Sequence, residues 1–113
     1  VLNELLERYP GWSNGYVLRA RLHLRNGEGL EARRQTLIAL AIEEENFEAM
    51  VVLSQAYLLI NSPEQSYLCL QQAVRLNPRL RHSLQEDIKE ALKSIDLERA
   101  RRRRDKRREV PVA

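Results

Sequence analysis

The reading of the chain turns on residues 46–78, NFEAMVVLSQAYLLINSPEQSYLCLQQAVRLNP. In its first half Phe47, Met50, Leu53, Ala56, Tyr57 and Ile60 recur at intervals of three or four, the spacing of a helical stripe. Asn61-Ser62-Pro63 then interrupts. Ser62 is placed to cap the next helix, Pro63 suits a first turn, and Gln65 stands three after Ser62, as in a capping box. The second half carries Tyr67, Leu70, Ala73, Val74 and Leu76 on one face. Asn77-Pro78 ends it, because proline cannot continue the hydrogen-bond ladder. Two helices this short cannot bury their apolar faces on each other alone, so the unit requires stacked neighbours.

Composition agrees. The 113 residues suffice for one small domain. Leu, Ala, Glu, Arg and Gln outweigh Val, Ile and the aromatics, a helix-favouring mixture without strand-like alternation. The single cysteine, Cys69, excludes an intrachain disulfide. It lies in an apolar helix face and reads as a buried, inert thiol. Cysteine usage leans to a cytoplasmic setting, with the nucleus as the alternative. No apolar run approaches the roughly 20 residues of a membrane span. Val1 falls inside what reads as a helix, so upstream sequence is expected to precede it. Residues 99–113 hold 8 Lys/Arg against 2 Asp/Glu, a net +6, whereas residues 1–98 hold 11 against 14, a net −3. A slightly acidic body therefore carries a basic tail.

Outward from the central stretch, Leu2, Leu5 and Leu6 mark a helix remnant stopped by Pro10-Gly11, with Trp12 placed to wedge between helices. Ser13 or Asn14 is positioned to cap the next helix, which bears Tyr16, Ala20, His23 and Leu24, with Val17, Leu18 and Leu22 in support. Gly27 suits the positive φ of a helix C-terminus. A second helix follows from Gly29 to Glu43, with Leu30, Ala32, Leu37, Ala39, Leu40 and Ile42 apolar. Subtracting 34 takes Met50 to Tyr16, Ser54 to Ala20, Tyr57 to His23, Asn61 to Gly27, Ser66 to Ala32 and Ala73 to Ala39 without a gap. Ala73 is thus expected where two helices approach closely.

This period and pattern resemble the tetratricopeptide repeat (TPR) family. Met50, Leu53, Ser54, Tyr57, Ser66, Leu70, Ala73 and Pro78 match its pattern in the central unit, with Asn61 replacing the turn glycine. Tyr16, Ala20, Gly27, Ala32 and Ala39 match in the unit before. Departures are Arg19 where Leu is expected, His23 for an aromatic, Thr36 for a large apolar residue and Glu44 for proline. The resemblance covers Val1 to about Arg79. It implies an all-α fold of antiparallel helix pairs, stacked as a short right-handed TPR-like solenoid. Residues 1–12 would be a partial repeat, 13–46 and 47–79 two repeats, and 80–98 a capping helix. The capping stripe is Leu80, Leu84, Ile88, Leu92 and Ile95, with a wet opposite face. Beyond it, residues 99–113 form a basic extension, expected to continue as a solvated helix and fray before Val110.

No pattern suits catalysis, a cofactor or a metal. His23, His82 and Cys69 lack zinc-ligand spacing. His23 stands in for a packing aromatic, and His82 reads as a surface residue. There is no glycine-rich phosphate loop. Glu43-Glu44-Glu45 reads as a solvated connector rather than an acid–base pair. A non-enzymatic protein-interaction scaffold or adaptor is therefore the expected function.

By resemblance, the first helix of each pair would line a concave groove with Asn14, Val17, Arg21, Leu24 and Arg25, then Glu48, Val51, Gln55, Leu58 and Leu59. A peptide or helix is the expected occupant. The bland alternative is that the last helix covers part of this patch through Leu84 and Ile88. Some TPR domains hold acidic tails with a Lys/Asn clamp. Val17, Arg21, Val52 and Gln55 stand where it would be, so no such clamp is expected. Arg101, Arg102, Arg103, Arg104, Lys106, Arg107 and Arg108 admit three readings: nucleic-acid phosphates, an acidic protein or anionic surface, or a solvated end. A nucleic-acid-associated factor, or the scaffold domain of a larger enzyme, is the alternative function.

Overall fold

The structure, a computed structural model, describes residues 1–108, and the side chains up to Arg107. Seven helices follow one another: α1 (Leu2–Arg8), α2 (Ser13–Arg25), α3 (Gly29–Ile42), α4 (Phe47–Leu59), α5 (Pro63–Leu76), α6 (Leu80–Ser83) and α7 (Gln85–Arg108). No strand occurs among the described residues. Each helix packs on its neighbour in sequence, and α2 also packs on α4, giving a solenoid-like stack of helix pairs. The molecule measures 65 × 30 × 21 Å, because α7 runs on past the stack. The expected fraying into Val110–Ala113 lies outside the described residues.

The turns repeat with the sequence. After α2, Gly27 takes φ 76°. Its N–H bonds to Leu24 O at 3.0 Å and the Glu28 N–H to His23 O at 2.8 Å. After α4, Asn61 takes φ 59°. Its N–H bonds to Leu58 O at 3.2 Å and the Ser62 N–H to Tyr57 O at 2.8 Å. Both are Schellman closures, which satisfy the last carbonyls and need a left-handed residue that Gly or Asn supplies. The other turn repeats too. Tyr9, Glu43 and Asn77 close α1, α3 and α5 by donating to Leu5, Ala39 and Ala73 at 2.8, 2.9 and 2.9 Å. Donors and acceptors both step by 34 residues.

Small residues at matched positions let the helices approach. Ala20, Ala32, Ala39, Ala73 and Ser66 are wholly buried, and Ser54 is nearly so. Leu70 fills the second pair's core. Its counterpart Thr36 is equally buried, and its hydroxyl donates to the Ala32 and Arg33 carbonyls at 2.9 and 2.8 Å, so no polar group is stranded. The α4 helix buries Ala49, Met50, Val52, Leu53, Ser54 and Ala56, more than one stripe, because α2, α3 and α5 all pack on it. Arg19 is half-buried on α2. Its guanidinium donates to Asn3 Oδ1 at 2.7 Å and Gln35 Oε1 at 3.4 Å, tying α1, α2 and α3 together.

Several local expectations are corrected. Ser62 occupies the cap position of α5, but its side chain makes no capping bond. Ser13 is the first residue of α2 rather than its cap, and its hydroxyl donates to Glu43 Oε2 at 2.6 Å. Leu30, Leu37 and Ile42 of α3 are exposed, because Ala32, Thr36 and Ala39 hold the inner face. The last helix does not run unbroken from Leu80. The Ser83 hydroxyl donates to the Leu80 carbonyl, and Leu84 separates α6 from α7. Its inner face is Leu84, Ile88, Ala91 and Ile95, while Leu92 is exposed. Spacings of four, three and four keep that line straight; Leu92 lies about 100° round from Ala91. As expected, the helix continues past residue 98, reaching Arg108.

Candidate interaction surfaces

Because α2 packs on α4, the outward residues of the two helices form one surface. A polar latch fixes its lower end. Asn46 caps α4 by accepting the Ala49 N–H at 3.1 Å, and its amide donates to Asn14 Oδ1 at 2.9 Å and Ser13 Oγ at 3.4 Å. The Ser13–Glu43 bond completes the latch, so Glu43 is engaged rather than merely solvated. Above it, Arg21 Nη2 lies 3.9 Å from Glu48 Oε2, both side chains half exposed. Such a pair contributes at most about 1 kcal/mol in water and yields readily to a charged partner.

Of the residues expected to line this surface, Asn14, Arg21, Glu48 and Gln55 are exposed, and Leu24, Val51 and Leu58 are half-buried. Val17 is the exception. It is 1 % exposed and packs in the first core cluster with Ala49 and Val52, so its side chain is unavailable to a partner. The packing of α4 against α2 consumes it. Leu24 rests on the same cluster, and Val51 on the second cluster with Leu84 and Ala91. Beside them Leu59 is 49 % exposed.

The basic extension is presented on the end of α7. Arg101, Arg102, Arg103, Arg104, Lys106 and Arg107 are all exposed; Arg108 is helical, its side chain outside the described set. Glu98 accepts from Arg101 at 2.9 Å and lies 3.5 Å from Arg102. At about 100° per residue these cations surround the helix rather than stripe one face.

His23 Nδ1 lies 3.4 Å from Glu28 Oε2 at the end of α2, and His82 is exposed on α6. Burial pushes the Cys69 thiol up to about 11. Among the described residues no three His, Cys, Asp or Glu side chains gather as a metal site would require, and no helix is long and apolar enough to cross a membrane.

One surface escaped the sequence reading. Between α5, α6 and α7 two adjoining hollows share Pro78, Arg81 and Ile88 and together form a groove. Arg75, Arg79, Arg81, His82 and Lys89 line it. A signal for it existed: no acid occurs between Glu64 and Glu86 while arginine recurs at 75, 79 and 81. No protein-family model matches the chain, and no curated protein matches it either.

Proposed function

We propose that the chain is a non-enzymatic protein-interaction module of tetratricopeptide-repeat type, an adaptor or scaffold that receives a peptide or helix across α2 and α4. The family reading rests on the 34-residue step, kept both in buried small residues and in the turn hydrogen bonds. The functional reading rests on one observation. Leu24 and Leu58 sit half-buried at the same position of adjacent helices, beside exposed Leu59, Gln55 and the Arg21–Glu48 pair. An apolar strip with polar flanks is the form in which a helix or extended segment is received. The contact set is Arg21, Leu24, Val51, Gln55 and Leu58, with Asn14 and Glu48 at the end held by the latch.

The test is selection of peptides from a displayed library, followed by amide-shift mapping of a selected peptide. Shifts should gather on α2 and α4, and Leu58→Asp with Gln55→Glu should abolish binding while helicity persists. Selected peptides that leave both helices unmoved would remove this surface from the account.

A second reading has its own support in the exposed cations of α7, where Arg103, Arg104, Lys106 and Arg107 make no ion pair within 4.0 Å among the described residues. A nucleic acid would be held through phosphates, with affinity falling steeply as salt rises. Titrating RNA and duplex DNA at two salt concentrations decides it, since deleting residues 99–113 should abolish any such binding.

A further inference from the structure

In this stack α2 has α3 as its partner and α4 has α5. Among the described residues α7 has no equivalent, because the chain continues straight as a helix to Arg108 instead of turning back. The consequence is visible at matched positions. Thirty-four residues before Ile88 stands Ser54, buried at 2 % beneath the α4–α5 pairing; before Arg81 stands Phe47, packed on the second cluster. Ile88 also rests on that cluster but is only half-buried, and with exposed Arg81 and Pro78 it borders an open groove. The groove lies where a helix partnering α7 would lie. Its floor is apolar and its rim is cationic. Arg75, Arg79 and Arg81 are exposed and make no ion pair within 4.0 Å among the described residues, while Lys89 is shared with Glu86 at 3.5 Å.

From this we infer that the α5–α7 groove docks an acidic amphipathic helix of a partner protein, with apolar side chains on Pro78 and Ile88 and carboxylates against Arg75 and Arg81. Charge complementarity chooses the occupant. Unpaired arginines beside an apolar floor attract carboxylates by field and hold them by bidentate hydrogen bonds. The groove shares no residue with the α2–α4 surface, so the two stand or fall separately.

A fluorescent helix-forming peptide with Leu on one face and Glu on its flanks is the probe. Binding to the full chain is followed by anisotropy, beside the same peptide with Gln for Glu and a single-stranded RNA of equal charge. The Glu peptide should bind, and Arg75→Glu/Arg81→Glu should weaken it by at least about tenfold with an unchanged thermal midpoint, since both side chains are exposed. Deleting residues 99–113 should leave it intact. Equal binding of the Gln peptide, indifference to the double substitution, or preferential RNA binding through these arginines overturns the proposal. So does sedimentation showing a dimer that the double substitution dissolves, which would make a second copy the occupant.

Discussion

Replacing Gly29 with Ala tests the packing of α3 on α4 at a single point. Gly29 opens α3, is buried, and has an ordinary φ, so its backbone tolerates a side chain. Space is what it lacks. An added Cβ would stand 2.8 Å from Ile60 Cγ2, 3.0 Å from Leu59 Cβ and 3.3 Å from the Ala56 carbonyl oxygen. The first neighbour can rotate away. The other two are fixed to the backbone at the end of α4, so α3 must withdraw by several tenths of an ångström. Overpacking of this kind costs about 1–3 kcal/mol. Alanine recovers up to about 1 kcal/mol of helix propensity against glycine. The net loss is then centred on about 1.5 kcal/mol, a fall of roughly 6 °C in the midpoint for a domain of this size. Thermal melts followed by circular dichroism measure it, with two other glycines as controls. Gly11→Ala meets nothing within 4 Å and should be neutral or slightly stabilising. Gly27→Ala also enters open space, but at φ +76° it should cost about 1 kcal/mol through the backbone alone. A Gly29→Ala chain that melts with the wild type would refute the close approach of the two helices.

Asn46→Ala removes the α4 cap and two bonds to the start of α2, so denaturant unfolding should show a loss of about 2 kcal/mol. Ser66→Ala should raise stability by about 1 kcal/mol in the same assay, because the buried Ser66 hydroxyl has no partner and Ala32 fills the matching position; a loss of that size would contradict it. With its folded value raised from 9.0 to about 11 by desolvation, Cys69 should alkylate roughly 100-fold more slowly at pH 8 in the folded chain than in urea. The sign for stability follows: its contribution is complete below pH 9 and is lost as pH rises from 9 toward 11, readable as a falling midpoint relative to Cys69→Ala.

Much of the fold was legible because alanine, serine and the left-handed residues carry their reasons locally. Gly27 and Asn61 are where a helix must stop with positive φ, and Ala39 and Ala73 are where only a methyl or less fits. Polar contacts between distant residues were not legible. Asn46 looked like the edge of a segment, but its amide joins Asn14 and Ser13 across more than thirty residues. Val17 illustrates the same limit. The resemblance placed it in the groove lining, and only the packing of α4 against α2 buries it. The cationic groove was hidden differently: its arginines come from the end of α5 and the start of α6, and no single helical stripe contains them.

The central claim is that two successive helix pairs close identically, 34 residues apart. Amide hydrogen exchange read residue by residue by NMR tests it most directly. The Glu28 and Ser62 amides, both bonded at 2.8 Å, should be protected alike, as should Glu43 and Asn77, both at 2.9 Å, and all four more than the amides of the solvated helix end at residues 101–107. Protection at Glu28 and Glu43 with none at Ser62 and Asn77 would contradict the stacked register.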